Sequence, residues 1–178
     1  LCYDDSTSIA CPGTPGTAGC ETTAFCGQDA QYGWDTTHLA TERFTRTTGT
    51  EPIVTDNVTG LMWMGCSEGR TGDTCTGTDT TYTWTNAVAR CDGRSWGGYS
   101  DWRLPDEFEL QSIVDYGRSS EPFIDPTAFP ATPSDWFWSS SSYAGSASGA
   151  WRVAFDAGYV GYSGKTDTYY IRCVRRGP

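Results

Sequence analysis

The chain has 178 residues, of which 37% are hydrophobic and 14% aromatic. This size fits one domain with a buried core and room for an appended arm. Its formal net charge of −10 argues against binding to nucleic acid or to an anionic membrane surface. No stretch is long and apolar enough to cross a bilayer, and no signal peptide is visible, as expected of a mature secreted chain.

Residues 1–50 are rich in Gly, Thr and Pro and poor in large aliphatic side chains. They are predicted to form an irregular N-terminal arm, and residues 51–178 the folded domain. Because such a segment cannot bury enough surface by itself, we expect it to lie on the surface or at an interface. The second alternative makes the chain a self-assembling subunit of an extracellular filament or sheath, whose arm contacts neighbouring copies. Deleting residues 1–35 and imaging the product would distinguish a filament subunit from a binding module. A filament should fall apart, whereas a binding module should keep its ligand.

The eight cysteines limit the redox chemistry of the chain. No Cys-x-x-Cys pair occurs and His38 is the single histidine, so the spacing does not match a zinc site or a thioredoxin-type site. Disulfides explain an even number of cysteines better, and they place the chain outside a reducing cytosol. Spacing alone leaves many pairings open. Short separations favour three local pairs and leave one long-range pair: Cys2–Cys11, Cys20–Cys26, Cys66–Cys75 and Cys91–Cys173.

Residues 51–81 are predicted to form two strands around a turn, followed by a loop that Cys66 and Cys75 close. Asn57 begins an N-glycosylation sequon, although a role in the turn explains it more simply. In the loop, Asp73 and Asp79, assisted by threonine hydroxyls, are candidate ligands for calcium, which prefers several oxygen donors. Glu121 and Asp125 are a second candidate set for the same ion.

Two helices are predicted in the middle of the chain. Residues 82–93 place Trp84, Ala87, Val88 and Cys91 on one face. Residues 106–117 begin with a capping box, since Glu109 follows Asp106 by three positions. Anions favour the first turn of a helix, so this helix explains why Asp106, Glu107 and Glu109 lie close together in the sequence. Arg103 is predicted to form an ion pair with Asp101.

The last third alternates apolar and polar residues and is predicted to form antiparallel strands. Its segments are WFWSSSSY (136–143), AWRVAF (150–155), YVGYSG (159–164) and TYYIRCVRR (168–176). The third segment is expected to return as a hairpin after a turn at 156–158. The fourth segment is expected to close the sheet as a single strand.

Aromatic side chains beside serine and glycine loops are the best candidates for ligand binding. Such rings stack on sugars or peptides, and nearby hydroxyls hydrogen-bond to them. Trp136, Trp138 and Phe155 are expected in the core, and Trp151 is expected either there or on the binding face. The predicted ligand-binding residues are Tyr143, Trp151, Tyr159 and Tyr162.

An enzyme is disfavoured. A catalytic triad would need His38, which lies near no nucleophile-elbow motif, and no phosphate-binding glycine loop follows a strand. A glycosidase needs only two carboxylates, but capping and solvation explain the acidic residues more simply. No catalytic residue is therefore assigned, and no cofactor is predicted apart from the calcium considered above.

Several segments, in this order, resemble the C-terminal domain family of bacterial collagen-like adhesins. They are VTDNVTGLMW (54–63), YTWTNAVARC (82–91), GGYSDWRLPDEFELQSIVD (97–115), FWSSSSY (137–143) and YYIRCVRR (169–176).

This resemblance implies an α+β, C-type-lectin-like fold. In it two helices pack on a small twisted antiparallel sheet, with the first and last strands adjacent. It also implies a Cys91–Cys173 disulfide and a structural role for Trp-Arg-Leu-Pro (102–105). The sugar-binding calcium motif of true C-type lectins is absent, since Phe123 follows Glu121 and Pro122. The predicted function is a secreted or cell-surface adhesion module that binds a glycan or a protein without catalysis.

Overall fold

The structure is a computed structural model that describes residues 43–177 and the backbone of two short N-terminal strands. The chain divides into two units, Leu1–Phe44 and Thr45–Pro178. In the first unit, β1 (Cys2–Tyr3) pairs antiparallel with β2 (Ser8–Ile9). The side chains of the predicted disulfides Cys2–Cys11 and Cys20–Cys26 lie outside the described part of the chain, as does most of the arm. Its role in assembly therefore stays a prediction.

From Phe44 onward the chain is α+β, as predicted, with short strands and two helices in the described residues. The helices are α1 (Trp84–Asp92) and α2 (Glu107–Ser112). The first strands are β3 (Phe44–Arg46), β4 (Ile53–Asp56), β5 (Leu61–Met64), β6 (Arg70–Thr71), β7 (Thr76–Gly77) and β8 (Tyr82–Thr83). The later strands are β9 (Trp136–Ser142), β10 (Gly149–Ala154), β11 (Val160–Gly164), β12 (Thr168–Tyr169) and β13 (Val174–Arg176).

The larger sheets have the strand orders β13-β5-β4-β3 and β11-β10-β9, and β12-β8 and β6-β7 form two-stranded ribbons. The predicted β4–β5 turn is confirmed: Gly60 adopts a left-handed φ of 71°, and the Asp56 carboxylate accepts a hydrogen bond from the Val58 amide. Strand β13 pairs with β5 and not with β4. The resemblance implied that the first and last strands of the domain are adjacent, but β5 lies between β13 and β4.

Residues 168–176 do not form the single strand that was predicted. They divide into β12, which pairs with β8, and β13, which pairs with β5. Residues 171–173, which lie between the two strands, and Val174, the first residue of β13, are all completely buried. Alternation cannot describe a segment that is buried on every side, and the chain leaves the strand conformation to place Arg172 and Cys173 in the interior.

Helix α1 confirms the predicted apolar face. Ala87 and Cys91 are buried, while Trp84 and Val88 are partly buried against the same core. Thr83 occupies the N-cap position, but its side chain makes no capping hydrogen bond. The Trp84 indole instead ties the start of the helix to β9 by donating to the Ser139 carbonyl at 2.9 Å.

Two disulfides connect these elements, and both agree with the sequence prediction. Cys66–Cys75 closes a loop over a separation of 9 residues, and Cys91–Cys173 joins α1 to the segment before β13 over 82 residues. Both lie in a hydrophobic core cluster that also contains Trp96, Trp102 and Trp138. Within the described residues, no helix has the length and apolarity needed to span a membrane.

Candidate binding site

The β9-β10-β11 sheet positions the predicted ligand-binding side chains. Strands β10 and β11 form an antiparallel hairpin in which Trp151 lies directly opposite Tyr162. Residues directly opposite on neighbouring strands project from the same face of a sheet. Tyr143 follows the end of β9, where its amide donates to the Gly149 carbonyl at 3.0 Å. Three of the four predicted residues therefore come together.

Tyr143, Trp151 and Tyr162 form a packed group, which we call the aromatic platform. The rings of Tyr143 and Tyr162 are stacked, with centroids 4.0 Å apart and an interplanar angle of 10°. The Trp151 ring meets both edge-on, at 5.2 Å from Tyr143 and 6.0 Å from Tyr162. Tyr162 remains 54% exposed. Tyr143 covers one face of the Tyr162 ring, so the exposed area lies on the rest of that ring, where a ligand can contact it.

Small residues in the 144–149 loop allow Tyr143 to take this position. A Cβ added to Gly145 would lie 2.6 Å from the Tyr143 ring, which is closer than real contacts allow, and one added to Gly149 would lie 3.3 Å from the Tyr143 Cβ. The loop composition AGSASG therefore has a steric cause. Larger side chains at these two positions would displace the Tyr143 ring from its partner.

Lys165, the only lysine in the chain, holds this loop beside the hairpin. Its ammonium group donates to the Ser142 hydroxyl and to the Ala147 carbonyl, each at 3.0 Å. It also lies 4.3 Å from the centre of the Trp84 ring, a favourable cation–π contact. The serine hydroxyls of the same loop, Ser146 and Ser148, are 3.0 Å apart. The platform is thus bordered by hydroxyl groups and a positioned cation.

Tyr159 does not join the platform. It is 58% exposed and meets Trp136 edge-on with centroids 5.8 Å apart. Tyr159 and Tyr162 are three positions apart on one strand path, and side chains alternate between the faces of a sheet. They therefore project to opposite sides, a separation that the two-residue period already indicated.

On the Tyr159 side of the sheet, the sequence did not indicate the position of Arg152. Its guanidinium lies between two rings, 3.7 Å from the centre of Trp136 and 4.4 Å from that of Tyr169. Trp136 is consequently half-buried, and its prediction as a core residue is wrong, whereas Trp138 and Phe155 are fully buried as predicted. Trp151 is also half-buried, and its role in ligand binding stays a prediction.

The predicted calcium ligands have protein partners in this structure. The Asp79 carboxylate forms an ion pair with Arg70 and accepts a hydrogen bond from the Ser67 hydroxyl. Asp73 accepts a hydrogen bond from the Gly49 amide at 2.7 Å. Residues 43–177 contain no group of three or more acidic, histidine or cysteine side chains arranged to hold a metal ion. Calcium binding by Asp73 and Asp79 stays a prediction.

The acidic cluster around Trp-Arg-Leu-Pro forms a structural corner. Arg103 pairs with Glu109 through two hydrogen bonds of 2.6 Å, and Asp101 pairs with Arg175. The predicted Arg103–Asp101 pair is therefore wrong. Glu109 also completes the predicted capping box with Asp106. The helix start brings the Glu109 carboxylate back over the chain that precedes it, so Arg103 meets an acid six residues away and not its close neighbour.

This corner has a consequence for acid stability. Burial opposes the charge of Glu109, but hydrogen bonds from Arg103 and the Asp106 amide outweigh burial and hold the pKa of Glu109 below its usual value. Such a group stabilises the fold above its unfolded pKa of about 4.3, and the stabilisation is lost as the pH falls through the lower folded pKa. Solvent exposure limits the effect to about 0.5–1 kcal/mol.

Glu109→Gln should therefore flatten the loss of unfolding free energy between about pH 5 and pH 3, as measured by urea denaturation. Glu107 is the matched control on the same helix turn, because burial and the charge of Asp106 raise its pKa. Its removal should steepen the same loss. Identical pH profiles for wild type and Glu109→Gln would contradict this account of the corner.

Comparison with known proteins agrees with the resemblance seen in the sequence. A family model for the Lcl C-terminal domain matches residues 52–175. A search of curated proteins gives no match. The matched range contains the aromatic platform and, from the described part of the chain, the two disulfides and the two helices. This family, from collagen-like adhesins, suggests an adhesion-related, non-catalytic module and, with the disulfides, an extracellular location. The chain belongs to the Lcl C-terminal domain family.

Proposed function

We propose that this domain is a secreted or cell-surface adhesion module that binds a glycan through the aromatic platform. The observation that carries the proposal is the Tyr143–Tyr162 stack beside Trp151, with Tyr162 half-exposed. Sugar rings present apolar C–H faces that pack on aromatic rings, while hydroxyl groups at the border satisfy the sugar hydroxyls. A C-type-lectin-like arrangement of the helices and sheets is part of the proposal.

The stack itself defines how a ligand would approach. Tyr143 covers one face of Tyr162, and Trp151 supports both rings from the side. The platform is therefore assembled before a ligand arrives, and binding does not require these aromatic side chains to be ordered at an additional entropic cost. The serine hydroxyls of the 144–149 loop then supply adaptable hydrogen bonds near the rings.

Alanine substitution on the platform tests the proposal. A glycan array with the whole chain should first identify a binding sugar. Trp151→Ala and Tyr162→Ala should each weaken binding to that sugar by about tenfold to a hundredfold, since truncating a central aromatic contact costs about 2 kcal/mol. Tyr162→Phe should retain most of the affinity, because the ring face is preserved.

Tyr159→Ala is the matched control, since it removes an equally exposed tyrosine from the opposite face of the same hairpin. Its affinity should equal that of the wild type by isothermal titration calorimetry. Loss of binding in Tyr159→Ala, with Tyr162→Ala unaffected, would move the site to the Arg152 face. The array can instead show no binding sugar while the chain captures a purified extracellular protein. If Tyr162→Ala abolished that capture, the ligand of the platform would be a protein and not a glycan.

A further inference from the structure

The side of the β9-β10-β11 sheet opposite the aromatic platform carries a second aromatic group around Arg152. Arg152 lies directly opposite Gly161 on β11, and Tyr159 is two positions before Gly161. Side chains that are opposite each other or two positions apart project from the same face of a sheet, so Tyr159 and Arg152 share this side. Gly161 leaves room for the Trp136 ring, since an added Cβ would lie 3.1 Å from it. Trp136 therefore contacts both Arg152 and Tyr159.

The guanidinium of Arg152 has two aromatic contacts but no hydrogen-bond acceptor in the part of the chain that the structure describes. Its Nε atom is buried without a partner, whereas Nη1 and Nη2, which are equally unpaired, reach solvent. Other arginines of the domain do pair with a carboxylate, namely Arg70, Arg90, Arg103 and Arg175. Because arginine is always protonated in proteins, Arg152 presents a full positive charge and two unused donors.

Contacts other than those with Arg152 hold the Tyr169 ring in place. That ring meets Trp138 edge-on with centroids 4.9 Å apart, and its hydroxyl lies 3.2 Å from the Ser163 hydroxyl. Ser163 in turn donates to the Asp167 carboxylate at 2.7 Å. The aromatic surroundings of Arg152 are therefore assembled without a ligand, and the nearby hydroxyl groups are already hydrogen-bonded. A ligand on this side is offered one free polar group, the guanidinium, beside aromatic surface.

We propose that this side of the sheet is a second binding site, which takes the C-terminal carboxylate of a polypeptide whose last side chain is apolar. The two Nη donors of a guanidinium match the two oxygens of a carboxylate in parallel hydrogen bonds. At a chain terminus, the carboxylate and the last side chain are attached to the same carbon atom. The side chain can then contact the Tyr159 ring, which is 58% exposed, while the carboxylate reaches Arg152. The carboxylate of an aspartate or glutamate side chain has no such apolar neighbour.

Sugar acids and polyanions fit this site less well than a peptide terminus. A sugar acid would bring several hydroxyl groups next to Ser163 and Tyr169, whose own hydroxyls are already engaged, and polar groups that lose water without a new partner weaken binding. A polyanion is repelled by the net charge of −10, and Arg152 supplies a single cation. The site lies on the opposite side of the sheet from the aromatic platform, so it does not depend on the proposed glycan binding.

Titration of the whole ¹⁵N-labelled chain with the N-acetylated peptide Gly-Gly-Leu, which ends in a free carboxylate, tests the proposal by NMR spectroscopy. The Nε–H signal of Arg152 should shift as the peptide binds, and the backbone amide signal of Tyr159 should shift more than that of Tyr162. The same peptide with a C-terminal amide should bind about tenfold more weakly or worse, because it cannot form the charged pair with the guanidinium. This comparison uses the wild type alone, so it does not depend on a variant folding.

Two substitutions then separate the charge of Arg152 from its shape. Arg152→Lys keeps the charge without the two parallel donors, and Arg152→Met keeps an unbranched side chain between the rings without the charge. Both should raise the dissociation constant of the free-acid peptide, by about tenfold or more for Arg152→Met, with circular dichroism spectra like that of the wild type. Equal binding of the acid and amide peptides would overturn the proposal, whether or not a glycan array finds a sugar. Tighter binding of glucuronate or of inorganic sulfate than of the peptide would overturn it as well.

Discussion

Replacing Cys91 and Cys173 together by alanine is expected to lower the free energy of unfolding by about 2–5 kcal/mol. The bridge closes a loop over a separation of 82 residues, so its loss gives the unfolded chain much conformational freedom. Both sulfurs are also completely buried in the core that α1 shares with β9. Alanine is preferred to serine because a buried hydroxyl would need a new hydrogen-bond partner. Guanidinium denaturation followed by circular dichroism measures the loss.

The Cys66–Cys75 bridge supplies the internal comparison for this experiment. It is equally buried but spans only 9 residues. Loop-closure entropy makes its removal less costly than that of the long bridge by about 2 kcal/mol. An equal or larger loss for the Cys66→Ala/Cys75→Ala variant would show that local strain or packing, and not chain entropy, dominates the contribution of these bridges.

Arg172 is the second position at which we expect a large effect, because it is a completely buried guanidinium. It donates to the Met64 carbonyl and to the Thr132 hydroxyl, each at 2.8 Å, and lies 4.7 Å from the centre of the Phe129 ring. Burial, assisted by the charge of Arg46, lowers the pKa of Arg172 to about 9. The group is therefore still protonated near neutral pH, and its Nε atom is buried without a partner among the described residues.

Arg172→Ala is expected to lower the free energy of unfolding by about 3–5 kcal/mol, because it opens a cavity and leaves the Met64 carbonyl and the Thr132 hydroxyl without their donor. Arg172→Met fills the space without the charge and should cost clearly less, since removing a buried cation also removes its desolvation penalty. Chemical denaturation of both variants measures the difference. A loss under about 1 kcal/mol for Arg172→Ala would contradict the structural role assigned to this side chain.

Local features of this protein were predictable because near neighbours in the chain determine them. The capping box of α2 needs only Asp106 and Glu109, three positions apart. The apolar face of α1 follows from the helical period, and the β10–β11 hairpin follows from alternation around a turn with Gly158 in a left-handed conformation. The Cys91–Cys173 pair was also predictable, because the sequence separations favour short-range pairs for the other six cysteines, of which Cys66–Cys75 is described.

Two predictions depended on contacts that the packing of the elements and the pleat of the sheet decide. Arg103 was assigned to Asp101 by proximity in the chain, but the backbone of Arg103 pairs with Val174, and the start of α2 brings Glu109 to its guanidinium. The four predicted ligand-binding residues were treated as one group because of their composition. The pleat of β11 instead divides Tyr159 from the platform.

The chain alone thus indicates the positions of both helices and of the hairpin, the pairing of the four described cysteines, and that aromatic side chains gather near the C-terminal hairpin. These depend on short-range periodicity and on the entropy of local loops. The chain alone did not indicate the end of α2, which was predicted to reach residue 117 and stops at Ser112. Only the tertiary structure decides that Tyr143 stacks on Tyr162, that Arg152 lies between two rings and that Arg172 is buried with no hydrogen bond to a carboxylate among the described residues. Those contacts depend on the register between strands and on packing in three dimensions, which no linear pattern specifies.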